Sequence, residues 1–489
     1  MEKTDILIVG AGLLGCFAAR ALAAYECAVT VLEPREDVCT GVSRANTGIV
    51  YSGYQTKPGT LKTQLCLRAN ARFDALCREL DVPFSRCGSL LVSCGARGDC
   101  VLRKKLADGT ESGVEGLRLL TGGEARALEP LLTPAVTGAL YAPGSGTVDP
   151  WSLGIAAFEN ARANGVAFRF REGAERISRA DGGFVVETAR ETYRARAVLN
   201  CAGLAADRVR EWTEAPLVRI FPSAADYLVL DTTASGAVRH ILLHEPEEKG
   251  KGLTLVPTVD GSLLIGPTER SWAGAPGDAT DGGGLETLRR LCAGIVPGLD
   301  LSQTIRSFGA TRPNPFYVRA EGGEYVRESR SINSFTLLEE DGLLSMIGIK
   351  TPGLTCAAEL GKYAAERLIA RLGGAAENAR FDPTRRAIPR PAAMDEARRA
   401  ALAAADPDYG AVVCRCRDVT RGEIREAIRR GAVTVDGVKR RTGAGMGRCQ
   451  GGWCMQRVLE ELSAASGRPV PEIAKDAPGG RIVCGEAAR

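Results

Sequence analysis

Residues 5 to 24 constrain this chain more than any other stretch. Asp5-Ile6-Leu7-Ile8-Val9 is an apolar run long enough for one buried strand. Gly10-Ala11-Gly12-Leu13-Leu14-Gly15 follows at once, and an Ala-rich helical stretch runs on to about Ala24. A strand, a G-x-G-x-x-G turn and a helix in that order open a βαβ unit. Gly10 permits the tight turn, Gly12 lets backbone at Leu13 and Leu14 approach a pyrophosphate, and Gly15 lets helix pack on strand. The helix N-terminus adds partial positive charge for the phosphates. A second apolar run, Ala28-Val29-Thr30-Val31-Leu32, ends in Glu33. An acid about 20 residues past the glycines is placed to hold a ribose hydroxyl pair. These features predict dinucleotide binding; a glycine motif by itself also fits an ordinary turn.

With 489 residues, the chain has room for two or three domains. A net charge of +4 is too small to argue for nucleic acid or an anionic membrane surface. No apolar run reaches the length of a membrane span. The first strand starts by Asp5, which leaves no room for a signal peptide and predicts a cytoplasmic protein. Sixteen cysteines in such a chain point to metal or cluster ligation where closely spaced, rather than to disulfides. The two histidines, His240 and His244, nearly exclude a multi-histidine metal site. Cys66, Cys77, Cys87, Cys94 and Cys100 are irregularly spaced and are expected to be buried free thiols.

Past Glu33, the small and polar run Thr40 to Gly48 suits backbone lying against a flat ring and a phosphate, or a plain polar loop. A helix is expected over Trp151 to Asn164, then strands at 166–168, 183–187 and 197–200, the last closing on Cys201-Ala202-Gly203. Short strands and turns alternate through residues 221 to 330, as in an antiparallel sheet. Within that region, 250–261 and 263–268 read as a hairpin around Asp260-Gly261. Thr254 faces substrate or is a plain strand threonine. Residues 373 to 408 read as a Pro-, Ala- and Arg-rich linker with a helix near Met394–Ala404.

Three segments, Ser43-Arg44-Ala45-Asn46-Thr47-Gly48, Lys57 to Lys62 and Gly88-Ser89-Leu90, resemble the D-amino-acid-oxidase superfamily of FAD enzymes. The likeness is greatest to the branch holding L-2-hydroxyglutarate oxidases and glycerol-3-phosphate dehydrogenases. The resemblance implies FAD as the dinucleotide and a discontinuous α/β Rossmann-like FAD domain (1–82, 142–222 and 331–372). It also implies an antiparallel-sheet substrate domain (83–141 and 223–330). Carried over with it are flavin contacts at Ser43, Asn46, Thr47, Gly48, Ala202, Gly203, Gly353, Leu354 and Thr355. Arg312, in Gly309-Ala310-Thr311-Arg312-Pro313, matches the arginine that holds the substrate's anionic group. Its planar guanidinium offers paired donors to a carboxylate or phosphate. Relatives commonly carry a histidine where this chain has Tyr51, and they differ again at Ser223–Asp226. Lys350 is also unusual at its position; it faces substrate or lies in solvent.

In the tail, Cys414-Arg415-Cys416 and Cys449-Gln450-Gly451-Gly452-Trp453-Cys454 form two clips of thiols. Four thiolates hold zinc or an iron–sulfur cluster. The C-x-C and C-x4-C spacing is similar to that of the bacterioferritin-associated-ferredoxin family, which implies a small helical [2Fe–2S] domain over 409–489. Arg440 to Gly451 resembles the tail of anaerobic glycerol-3-phosphate dehydrogenase large subunits. Thr420-x-x-Glu423 predicts a capping box at a helix start, and Cys484 stands outside the pattern.

The expectation is a FAD-dependent dehydrogenase that oxidises a small anionic substrate and passes electrons through the cluster to a second flavoprotein or other acceptor subunit. Glycerol 3-phosphate, L-2-hydroxyglutarate or another 2-hydroxy acid, and an amino or imino acid are the substrates left open. A non-catalytic electron-transfer subunit is the reading from a different class, motivated by Tyr51 and Ser223–Asp226.

Overall fold

A computed structural model describes residues 1–244, 252–271, 279–330 and 332–485. Gly250 and Lys251, which begin the expected hairpin, lie outside them.

The first strand is Glu2–Val9, followed by the helix Leu13–Leu22 and the strand Val29–Glu33. The turn between strand and helix is shaped by missing side chains. Gly10 has φ +99°, and a Cβ there would sit 2.6 Å from the Cys201 carbonyl oxygen. A Cβ on Gly15 would sit 2.0 Å from the Gly10 carbonyl oxygen. Both clashes are with backbone, so neither position tolerates a larger residue without moving the turn.

Glu2–Val9 lies between Val29–Glu33 and Thr192–Asn200, parallel to both. Val29–Glu33 pairs in parallel with Ala167–Phe170, and Thr192–Asn200 with Leu343–Ile347. Antiparallel strands complete an eight-stranded sheet. The parallel centre is buried, which explains its continuous apolar strands. Ile6, Ile8 and Val31 pack with Phe17, Phe158 and Leu360 in the largest core. The helix expected at Trp151–Asn164 runs Pro150–Ala163, with Asp149 as its cap.

The second large sheet has nine strands. Ser223–Leu230 pairs antiparallel with Thr304–Arg312, so Ser223 faces Arg312 in register. The predicted hairpin is present as Thr254–Pro257 paired with Leu263–Ile265. The sheet is not wholly antiparallel, since Ile241–His244 runs parallel to Ser89–Ser93. Those two strands come from chain segments more than a hundred residues apart, so no hairpin dictates their direction.

The tail folds as helices Arg421–Arg429, Val435–Thr442 and Met455–Ser466 around Ile424, Val438, Leu459, Cys414 and Cys454. The Thr420/Glu423 capping box is present. The preceding segment is less free than its composition suggests. Asn378 Nδ2 donates to the Ala23 carbonyl (3.0 Å), and Arg385 pairs with Glu159 at 2.7 Å. Ile388 belongs to the tail's core. Its helix runs Glu396–Ala405. Of the five cysteines expected to be buried, Cys66 and Cys77 are; Cys87 and Cys94 are half-buried and Cys100 is exposed.

Candidate active site and cluster site

One cavity of about 870 Å³ joins the glycine turn to the substrate sheet. Gly10, Gly12, Leu13, Leu14 and Glu33 line one end. Tyr51, Tyr227, Thr254, Arg312 and Lys350 line the other. Ser43, Asn46, Thr47, Ala202, Gly203, Gly353 and Leu354 lie along it. Chain segments separated by some 300 residues therefore meet on one elongated space, as a dinucleotide with a ring at one end requires.

Three of the residues singled out from sequence stand behind the wall instead of in it. Gly15 serves the helix packing described above. Gly48, at φ +66°, would place a Cβ 2.5 Å from the Val148 carbonyl oxygen. Thr355 Oγ1 accepts from the Tyr51 N–H (3.0 Å) and so fixes that backbone. Ser43 and Asn46 line the cavity, but their polar groups also build it. Ser43 Oγ accepts from the Leu13 N–H (3.0 Å). Asn46 donates to the Ser43 carbonyl and accepts from the Gly48 N–H, both at 2.8 Å. Leu13 N–H is thereby occupied within the protein.

Glu33 accepts from the N–H groups of Ala11 (2.9 Å) and Arg35 (3.0 Å). Burial pushes its carboxyl above the usual range, and those two donors offset part of the rise. At the other end of the cavity, burial pushes the Tyr51 hydroxyl up to about 12, with Tyr227 adding to the rise and Arg312 opposing it. Burial also raises Tyr227, which hydrogen-bonds Arg312. Tyr227 stacks on Phe308, with ring centroids 4.7 Å apart. Lys350 Nζ donates to Asn314 Oδ1 (2.8 Å), and Asn314 Nδ2 donates to Ser223 Oγ (2.9 Å). Lys350 thus belongs to the cavity, and Ser223 supports it through Asn314. The Gly353 N–H donates to the Lys350 carbonyl (2.6 Å), whereas the N–H groups of Leu354 and Thr355 take no part in the loop's backbone bonding.

No sequence pattern pointed to Tyr227 or Asn314. Both sit in strands or loops of ordinary composition, and only the Ser223/Arg312 register brings them to the site. The histidines are elsewhere: His240 Nδ1 meets Glu129 Oε1 at 2.7 Å, and neither His240 nor His244 lines the cavity.

In the tail, the Sγ atoms of Cys414 and Cys416 are 3.9 Å apart and those of Cys416 and Cys449 3.7 Å. Cys454 hydrogen-bonds Cys414. Among the described residues, no three His, Cys, Asp or Glu side chains surround one point as a single ion demands. The thiols instead run as a chain from Cys454 through Cys414 and Cys416 to Cys449. Four thiols gathered in this way can hold zinc or an iron–sulfur cluster. Cys454 and burial push the Cys414 thiol above its ordinary range, whereas hydrogen bonds from the backbone N–H groups of Trp453 and Gly451 hold Cys449 below it. Such donors favour thiolate ligands.

The tail is held against both other sheets. Arg441 grips Asp37 with Nη1 at 2.7 Å and Nη2 at 2.8 Å, and Arg440 reaches the same carboxylate at 3.2 Å. Asp476 joins Arg440 (2.7 Å) to Arg44 (2.8 Å), which lies in the loop lining the cavity. On the substrate sheet, Arg417 pairs with Asp260 (2.9 Å), Arg448 with Asp231 (3.1 Å), and Arg306 donates to Gln450 (3.1 Å). Arg306 and Arg312 share the strand Thr304–Arg312. Six residues of strand set the backbones of Arg306, which reaches the cysteine loop, and Arg312, which lines the cavity, roughly 20 Å apart.

A Rossmann-like half, a mixed-sheet substrate half and a cavity between them define a flavin-dependent oxidoreductase. The chain belongs to the FAD dependent oxidoreductase (DAO) family, whose model matches residues 5–367, and carries a BFD-like [2Fe-2S] binding domain at residues 412–463. Its cofactors are FAD and a [2Fe–2S] cluster. It is 36% identical to a glycerol 3-phosphate dehydrogenase of Caloramator mitchellensis over 98% of both chains. It is 25% identical to the glycerol 3-phosphate oxidase of Mycoplasma pneumoniae, over 75% of this chain and 95% of that one. The FAD-bound, dithionite-reduced L-α-glycerophosphate oxidase of the same organism superposes with a TM-score of 0.71 at 22% identity, covering 79% of this chain and 99% of that one. The last likeness is one of fold. Among the described residues, no helix is long and apolar enough to cross a membrane.

Proposed function

We propose that the protein is a glycerol 3-phosphate dehydrogenase that delivers electrons through its [2Fe–2S] domain to a separate acceptor protein. The observation that carries the reading is the shared cavity of Arg312 and Lys350 with the glycine turn. The near full-length similarity to a glycerol 3-phosphate dehydrogenase supports the same substrate. FAD, when bound, supplies a two-electron acceptor that can return electrons singly. The residues of this chain do the rest. Arg312 binds two phosphate oxygens through its planar fork, steadied by Tyr227. Lys350, held by Asn314, supplies the second positive charge that a dianion calls for. Tyr51 stays protonated at neutral pH and donates a hydrogen bond to a substrate oxygen; it is not a base. With no histidine lining the cavity, the substrate hydroxyl proton passes to water. Leu354 lines the cavity, and its backbone N–H, which takes no part in the loop's backbone bonding, would be a donor for the negative charge that FAD carries when reduced.

Anaerobic titration of the purified holoprotein tests this. Glycerol 3-phosphate is expected to bleach the flavin band, and L-2-hydroxyglutarate and amino acids to leave it unchanged. Bleaching by L-2-hydroxyglutarate alone would transfer the assignment to a 2-hydroxy acid. No bleaching by any of them would leave an electron-transfer subunit.

A further inference from the structure

The cysteine loop 447–454 has two unlike faces. Arg448 and Gln450 are tied to the substrate sheet through Asp231 and Arg306. Cys449 is exposed, and Trp453 stands 51% exposed with the Arg415 guanidinium stacked 4.4 Å from its ring. Few large apolar side chains in this chain are that open to solvent, and this one adjoins Cys454. Within the two cysteine-bearing segments, before Glu460 and Glu461 of the last helix, charge has one dominant sign. Across residues 414–418 and 447–457 the charged side chains are Arg415, Arg417, Asp418, Arg448 and Arg457. Arg417 and Arg448 are neutralised by the substrate domain. Arg415 and Arg457 form no ion pair among the described residues.

We propose that Trp453, Arg415 and Arg457 form the docking surface for an acidic one-electron carrier protein, which approaches the cluster at Cys449. Aromatic and arginine side chains are the usual centres of protein interfaces, and stacking on arginine holds the indole in place before a partner arrives. The positive rim selects an acidic partner and speeds its encounter. The inference rests on the electron-exit reading above. The cluster, when bound, would supply one electron to each oxidised carrier. Two carriers are therefore reduced per substrate carbinol oxidised to a ketone, with two protons released.

The test uses the full-length holoprotein immobilised on a biosensor, with an oxidised acidic plant-type [2Fe–2S] ferredoxin as probe and basic cytochrome c as control. Ferredoxin is expected to bind, to weaken steeply as salt rises, and to bind at least about tenfold more weakly to W453A and to R415E. The visible spectrum of each variant confirms that the cluster is retained. Absence of ferredoxin binding, preference for cytochrome c, or equal binding by the variants would overturn the proposal. So would self-association in sedimentation that W453A abolishes, because the occupant would then be a second copy. Flavin bleaching by substrate is followed separately in the same samples. Its failure with ferredoxin binding intact would remove the substrate assignment and leave the docking surface standing.

Discussion

Arg441 closes a two-pronged ion pair on Asp37 although the two residues are 404 positions apart, and both side chains are almost wholly buried. Burial alone would raise the Asp37 carboxyl. Arg441 first, and then Arg440, outweigh that and hold it below the usual carboxylate range. Removing one member of a buried pair strands the other. D37A therefore leaves the Arg441 guanidinium buried without a carboxylate, while Arg440 keeps Asp476, and is expected to cost about 3–5 kcal/mol. Because Asp37 sits in the FAD domain, the loss should show as protease cleavage before residue 412 at a lower temperature than in wild type.

The same pair sets a pH dependence. A depressed folded pKa gives stability that is fully present above the unfolded carboxylate value of about 3.9 and lost as pH falls through the folded value. Docking of the tail should hold from neutral pH down to about 4 and weaken below it. Thermal scans of wild type and D37N against pH check this. The stability gap between them should shrink in the acid range.

At the substrate end of the cavity, R312A should lower kcat/KM for glycerol 3-phosphate by roughly 10- to 100-fold, the value of one or two charge-assisted hydrogen bonds. R312K should recover only part of it, since a lysine offers no planar fork. Y227F leaves the guanidinium in place and less firmly held, so its effect should be smaller, on the order of severalfold. Steady-state kinetics with a dye acceptor separates the three. Equal activity in R312A and wild type would remove the arginine from the site.

Tyr51 makes a sharper case because burial pushes its hydroxyl up to about 12. Substrate-dependent flavin bleaching should show no alkaline limb near 10, the ordinary tyrosine value. Y51F should slow bleaching about tenfold without moving the pH profile, as expected for loss of one hydrogen bond. A limb near pH 10 that disappears in Y51F would make Tyr51 a base instead.

C416S and C454S should abolish the visible absorption of the cluster while leaving flavin bleaching by substrate intact. C484S should change neither, since Cys484 is exposed and outside the C-x-C and C-x4-C clips. Spectra of the three variants decide it. A tail that keeps its fold, binds zinc and has no visible colour would contradict the [2Fe–2S] reading of these ligands.

What was legible in the sequence was whatever is local. The glycine turn, the hairpin at 254–265 and the Thr420 capping box each write their geometry into adjacent residues. The FAD cavity was legible in outline because family resemblance brought distant motifs together. Its finer assignments blurred where a residue supports a wall from behind, as Gly48 and Thr355 do. Asp37 could not be found at all. A lone aspartate in a polar loop looks solvated until the fold sets Arg440 and Arg441 against it. The run at 376–388 was misleading for a related reason. Proline and arginine read as slack chain, yet Arg385 pairs with Glu159 and Asn378 bonds the Ala23 carbonyl.

That last segment sets how far the redox module can travel. It is stitched to Ala23, Glu159 and the tail's own core between Asn378 and Ile388. A hinged carrier arm would have to break every stitch to carry its cargo to another protein. This one is bolted down, so under the function proposed above the acceptor comes to it.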